Sequence, residues 1–517
     1  MLSRPTCWRP SSRARVVYRC FGVVILAGLA LGSTDREARA GTLLAGASKV
    51  DVTDRTAGPV NDPLYVKALV LKDESNTVAI ITVDAVAIGE IGPIKNDYLS
   101  KVRTALQRDL GIEPNNVLVN ASHCHGIVCS DVDQRTIKAV KEAKERLVPV
   151  KVGAGSGFED RVMENRRLRL KNGREIDMRH AYSLPPDEEV GAVGPVDPRI
   201  GLLRLDRVDG RPLAVVYNFA CHPIQGVPNK GNTADMTGFA SQVIEDNLGE
   251  GTIALFLQGC GGDINPITYK DTANPRNAEP LGNTLGLSAL KGIRSIETRE
   301  DPRLKIIHEH LALPRANLGT RISEMEKEIQ DLVQSLKGTS LNLKSFLALI
   351  SRQPGRDEFP SYASHRYLTE KQGGRDDLRR LDAENQANMT AYIKNIYTME
   401  QITRMQTNLA LLRKHQVGNQ AAGSPTVDVE VVGLRVGEFV LVTFPGELTV
   451  QIGLNIKKAS PHRQTNVAGY TNGYIYYAPT AEQLKNRGGA QEDSDCILAP
   501  AWQNLFEQKA AKVLERL

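Results

Sequence analysis

The sequence predicts an α/β fold: a mixed β-sheet core with flanking helices and a long helical-hairpin insertion. Three observations lead there. Apolar runs and amphipathic stretches alternate from Ala45 to Arg146, a strand–helix–strand–helix rhythm that argues for some parallel pairing. Several neighbouring apolar runs are separated only by short Asp, Gly or Asn turns, as in hairpins. From about Asn317 to Gln416 the pattern changes to charged, helically periodic sequence that is poor in turn formers.

The chain has 517 residues, 41% hydrophobic and 24% charged, which is ordinary globular composition with enough length for a large core. A formal net charge of +5 is too small to point to nucleic acid or to an acidic substrate.

The first segment reads as a secretory leader over residues 1–40. Arg4, Arg9, Arg13, Arg15 and Arg19 precede the short apolar run FGVVILAGLAL, and Ala38-Arg39-Ala40 fits a small-x-small cleavage site. The expectation is an exported (periplasmic or extracellular) chain starting near Gly41, with an uncleaved anchor as the alternative. Five cysteines would then remain: Cys124, Cys129, Cys221, Cys260 and Cys496. Export would permit a local Cys124–Cys129 disulfide, and an odd count leaves at least one thiol free or paired between chains.

Strands are expected at Ala45–Asp54, Tyr65–Asp73 and Thr77–Ala87, and a helix over Tyr98–Leu110 that stops at Gly111. The strand Val117–Val119 then runs into NASHCHG, and Arg135–Arg146 is a second helix. On an extended backbone His123 and His125 would point the same way, with Cys124 turned aside, as two imidazoles sharing a metal do. The pair alone carries little weight, so other stretches have to join it. ENRRLRL, within Arg161–Leu170, reads from composition as a solvated basic strand. Ile200–Val208 and Leu213–Ala220 form a hairpin around Asp209-Gly210, and NFACHP presents His222 rigidly before a proline.

After a helix at Phe239–Leu248, the buried-type strand Thr252–Leu257 opens into QGCGGDINP. Its glycines allow close backbone approach, and Asp263 and Asn265 supply polar groups. The helical block, 317–420, splits the core into 41–316 and 421–517, and its middle, Ser351–Asp382, is basic and irregular. Strands return over Val427–Val442 and end in FPGELT, which places Glu447 just past a strand end, as His123 and His222 are. The Tyr-rich NVAGYTNGYIYY follows, and Trp502–Leu517 is a closing amphipathic helix. Two histidines and a glutamate make a recurrent catalytic zinc shell, which lowers the pKa of bound water and polarises a carbonyl.

NASHCHG, NFACHP, QGCGGDINP, FPGELT and NGYIYY, in this order, resemble the neutral (non-lysosomal) ceramidase family, from about Leu43 to Arg487. The resemblance implies one zinc per chain held by His123, His222, Glu447 and Tyr477, with Tyr474 as the second choice for the tyrosine. It also implies catalytic roles for His125 and for Arg166, which follows an asparagine, beside Asp263 and Asn265 of the glycine turn. The implied activity is zinc-activated water attacking the amide bond of a small-molecule or lipid N-acyl substrate, which would allow peripheral membrane contact. The chain departs from that family at Asn265, where the family has a serine; an amide can donate to an oxyanion but cannot attack as a nucleophile. It also has no tyrosine where the family's further one would fall, in Arg487-Gly488-Gly489, and the expectation is that the family's C-terminal β-sandwich domain is missing. Two other readings stay open. One is a thiol hydrolase using Cys260 or Cys124, which would need a lowered thiol pKa. The other is a non-catalytic descendant that keeps the metal shell.

Overall fold

The computed structural model describes residues 42–178, 184–267, 269, 271, 273–352, 364–486 and 489–517. The leader expected over residues 1–40 lies outside them, as do Arg487 and Gly488. The first strands are β1 Leu44–Asp51, β2 Tyr65–Lys72, β3 Thr77–Val83, β4 Val117–Ala121 and β5 Val148–Phe158. Three short ones follow, β6 Met163–Asn165, β7 Arg167–Leu170 and β8 Glu175–Asp177, then β9 Val190–Val193, β10 Arg199–Arg207, β11 Pro212–Phe219 and β12 Ile253–Gln258. The remainder are β13 Ile264–Pro266, β14 Leu304–Pro314, β15 Thr426–Val436, β16 Phe439–Thr443, β17 Glu447–Leu448, β18 Thr465–Ala468 and β19 Tyr477–Ala478.

A mixed eight-stranded sheet runs β12-β11-β10-β5-β1-β2-β3-β4, and its outer pairs β11–β12 and β3–β4 are parallel. A four-stranded sheet, β14-β15-β16-β18, packs on it. Leu69, Leu71, Leu203, Val216 and Leu255 of the large sheet form one core with Leu434, Phe439 and Leu441 of the small one. Burying these apolar faces against each other is what holds the sheets together.

Helices cover the outer faces. α1 Tyr98–Leu110 and α2 Val132–Glu145 lie over β1–β4, and α3 Asp235–Leu248 and α4 Glu279–Arg294 over β5 and β10–β12. The inward residues of α1 are Tyr98, Val102, Ala105 and Leu106, at helical spacing, and Gly111 ends it in the left-handed region at φ 62°.

Between β14 and β15 stand four helices, α5 Gly319–Ser335, α6 Leu343–Arg352, α7 Ser364–Gln372 and the 45-residue α8 Asp377–Ala421. β14 and β15 pair from Leu304↔Val436 to Pro314↔Thr426, so the helical block leaves and rejoins the sheet at one place. Leu318 and Met325 at its start pack on Met405, Leu409 and Leu412 of α8. The irregular middle expected over Ser351–Asp382 is partly helical, because α7 and the first turn of α8 fall inside it. Over the small sheet lie α9 Val450–Ala459 and α10 Trp502–Glu515, which wedges Trp502 and Phe506 against Phe444.

The large sheet curls until edge strand β12 meets β2, β3 and β4. Lys67 Nζ donates to Ala254 O at 2.9 Å, Thr82 Oγ1 to Phe256 O at 2.7 Å, and the Gln258 amide to Asn120 Oδ1 at 2.9 Å. Asn120 Nδ2 in turn donates to Gly469 O and Thr471 Oγ1. One side chain thus latches the ends of β4 and β12 and the loop after β18, which is how the chemistry-bearing segments come together.

Three local expectations are corrected. Residues 161–170 do not form a solvated basic strand: Arg166 and Arg167 are buried, at 0% and 3% exposure, among carboxylates that neutralise them. Cys124 and Cys129 are both free thiols, with Cys124 packed into the core. His123 is not on extended backbone; its φ of 68° turns the chain, so His123 is buried while His125 is exposed.

Candidate active site

β3 and β4 are parallel neighbours, and both chains turn at their ends. The His123 amide donates to Ala85 O at 2.9 Å, and the ring Nδ1 lies 2.6 Å from Val86 O. Its Nε2 therefore points away from the backbone. His222 leaves the end of β11 in the same way: Nδ1 is 2.6 Å from Gly261 O and 3.0 Å from Ile264 O, and Nε2 is 3.1 Å from Glu447 Oε2. His123 Nε2 lies 3.6 Å from that oxygen. A carbonyl that accepts a hydrogen bond from Nδ1–H favours the tautomer whose Nε2 is free to ligate a metal.

Glu447 sits on β17, which the glycine turn approaches closely. A Cβ on Gly262 would come within 2.7 Å of Glu447 O, so the contact excludes any larger residue. Tyr470 donates to Glu447 Oε2 at 3.0 Å, and Tyr474 donates to Oε1. Burial opposes ionisation of Glu447, but His123, His222 and Tyr474 outweigh it and hold the carboxyl well below the usual carboxylate range. Burial also pushes His123 down to about 4, against the pull of Glu447, so the imidazole is neutral. The single donor atoms of His123, His222 and Glu447 lie within 4.8 Å of one another, all buried, a spacing that one ion can bridge.

Tyr477 is the register partner of Glu447 across β17–β19. Its ring stacks on His222, with centroids 6.4 Å apart, and its hydroxyl accepts from Arg166 Nη2 at 3.1 Å. Arg166 also donates to Gly262 O at 2.7 Å and, through Nη1, to Asn265 Oδ1 at 3.2 Å. That contact fixes the amide's orientation and leaves Asn265 Nδ2 a buried donor without a partner. Asp263, beside them, accepts the Val450 amide at the start of α9 on one oxygen at 2.7 Å and Asn165 Nδ2 on the other at 3.2 Å. The exposed ring of His125 lies 5.7 Å from that of His123.

The thiols are placed otherwise. Cys124 and Cys260 are buried, and burial pushes Cys260 up to about 12 and Cys124 well above the usual thiol value. Neither has the exposure or lowered pKa of a nucleophile.

Residues 123, 222, 447 and 477, singled out from sequence, thus converge, with Arg166 and Asn265 beside them. Two participants had not been singled out. Tyr470, buried with its ring 4.3 Å from that of His123, lies in the Tyr-rich stretch, so composition pointed to the segment but not to the residue. Glu492, which pairs with Arg166 at 2.6 Å, gave no signal at all, because one acid in a loop resembles any other. Non-glycine residues with positive φ collect here (His123, Tyr470, Asn472 and Tyr476), strain of the kind that functional sites hold.

Fold and site together define an α/β protein built on two large packed sheets, with a buried His–His–Glu cluster suited to a metal. The fold is similar to that of neutral ceramidase from Pseudomonas aeruginosa, with a TM-score of 0.56 at 16% identity over 92% of this chain and 75% of that one. A ceramidase complexed with C2 is similar as well, with a TM-score of 0.57 at 16% identity over 92% of this chain and 76% of that one. No protein-family model matches the chain, and no curated protein matches it by sequence.

Proposed function

We propose that the chain is an exported, zinc-dependent hydrolase of linear amides, acting on an N-acyl substrate of small-molecule or lipid type. The observation that carries this reading is the buried cluster of His123, His222 and Glu447 within a ceramidase-like fold. The donor set suits zinc, with two imidazoles held through Nδ1 and one carboxylate. Tyr477 completes the set as the motif resemblance implies, and the leader sequence supports export. Zinc bound there would supply Lewis acidity, polarising the acyl carbonyl and making water a better nucleophile at neutral pH.

The chain's own groups have separate roles. His125, exposed beside His123, carries a proton to the leaving nitrogen. Asn265 Nδ2, the unpartnered donor, hydrogen-bonds the negative charge that grows on the acyl oxygen. Arg166 holds Tyr477 and Asn265 in register. The test is elemental analysis of the purified mature chain and of Glu447→Gln, alongside hydrolysis of a panel of N-acyl amides and esters. The expected result is about one zinc per chain and amide turnover, both lost in the variant. Full metal occupancy without turnover on any amide or ester would leave a non-catalytic metal-binding protein, and retention of metal in Glu447→Gln would sink the ligand assignment.

A further inference from the structure

Residues 491–496, QEDSDC, form a loop that touches both the site and the helical block. On the site side, Glu492 is fully buried and its Oε1 accepts from Arg166 Nε at 2.6 Å. Its other oxygen accepts from Arg167 Nη1 at 3.1 Å, and Arg167 goes on to Asp493 and Glu175. Further along, Asp495 O accepts the Tyr477 amide at 3.0 Å. On the other side, Arg321 of α5 donates to Asp493 O at 2.6 Å and to Asn486 O at 3.2 Å. His415 of α8, itself buried, lies with Nε2 2.6 Å from Asp495 Oδ1 and stacks edgewise on Tyr476 at 4.5 Å.

A guanidinium is a rigid planar fork, so the partner on Nε fixes where its two other nitrogens point. Here they point at Asn265, Gly262 and Tyr477, three groups from two separate segments of the site. We propose that Glu492 is a positioning residue for Arg166, and that the helical block keeps it in place by clamping residues 491–496 through Arg321 and His415. This rests on the hydrolase reading above. Glu492 touches none of the reacting atoms in that reading. It sets the angle of Arg166, and through it the aim of the Asn265 amide and the Tyr477 hydroxyl. The helical block then contributes to catalysis from outside the site.

The test compares wild type, Glu492→Gln, Glu492→Asp and His415→Leu. The readouts are metal content, unfolding temperature, and kcat and KM on an N-acyl amide that the wild type hydrolyses. Glu492→Gln should keep its metal and hold KM within about threefold, while kcat falls roughly 10–100-fold, the usual cost of losing an outer partner of a site residue. Glu492→Asp should recover part of that loss, and His415→Leu should lower kcat several-fold in the same pattern. Unchanged kcat in Glu492→Gln, or a lowered unfolding temperature alone, overturns the proposal. Where the glutamine variant does not fold, His415→Leu decides, and wild-type kcat there overturns it. A wild type that hydrolyses nothing overturns the hydrolase reading itself, and the proposal with it.

Discussion

Glu447 gathers two imidazoles and two phenols around its two oxygens. The two phenols therefore differ from Asn265 in what their loss should do. Tyr470→Phe removes a donor that orients the carboxylate, and metal affinity should fall about tenfold in a competition titration with a chelator. Asn265→Ala leaves the cluster untouched; metal content should stay at the wild-type level while kcat falls on the order of a hundredfold. Loss of metal in Asn265→Ala would mean that the amide belongs to the metal cluster rather than to the acyl oxygen. His123, His222 and Glu447 were legible because each follows an apolar run, where a strand end delivers a side chain to a common edge. The fine placement was not: the i, i+2 argument assumed extended backbone, and the left-handed turn at His123 separates a buried ring from an exposed one. The arginine pair was misread for a related reason. Composition shows charges, but Glu492 and Asp493, which allow those charges to be buried, lie some 325 residues further on.

Among the elements, α1, the hairpin β10–β11 and the closing helix α10 could be read from periodicity and turn chemistry. β14 could not, since its side chains alternate imperfectly and its partner β15 lies beyond four helices. β15 also carries Glu430, which Arg103 of α1 grips with two nitrogens at 2.6 and 2.8 Å. Asn472 Nδ2 donates to the same carboxylate and its Oδ1 accepts the Val119 amide, so this contact braces β4 just before the histidines. Burial opposes the charge on Glu430, but Arg103 and His308 outweigh it and bring the carboxyl down to about 2. A lowered pKa means that the unfolded chain binds the proton more readily. The stabilisation is therefore complete above the unfolded value near 4.5 and fades as pH falls toward 2. Glu430→Gln should lose on the order of 2–3 kcal/mol at pH 7 in urea unfolding, with the deficit shrinking steadily below pH about 4.5. Asp84 has the opposite sign: burial raises it to about 6, so its contribution is full below 3.8 and is lost as pH rises through about 6. A Glu430→Gln deficit that is the same at pH 3 and pH 7 would rule out the ion pair as its source.

At the scale of the molecule, α/β class and the presence of a helical block between two halves of a core followed from sequence rhythm. The curl that brings β12 against β2–β4 did not, because it depends on contacts such as Thr82 with Phe256, 174 residues apart. A metal ion bound by the cluster would join segments that the chain keeps far apart, and only the folded state offers all three donors. Its removal by a chelator should therefore lower the unfolding midpoint of the whole chain as one transition. At an ion concentration a thousandfold above Kd the linkage is worth about 4 kcal/mol. An early, separate transition on chelation would show instead that the site can open by itself.

The pairing of His222 with Glu447 has one more consequence. These residues are 225 positions apart, and the entire helical block lies on the loop between them. An ion shared by the two would close that loop like a clasp, against a closure entropy on the order of 5 kcal/mol. A protease cut in α5 or α8 would then yield two pieces that stay together, one bearing both histidines and the other the glutamate. Their separation would require undoing the β14–β15 ladder and the shared core as well as releasing the ion, so that after the cut the ion would add to those contacts a link of the kind the covalent chain supplies before it.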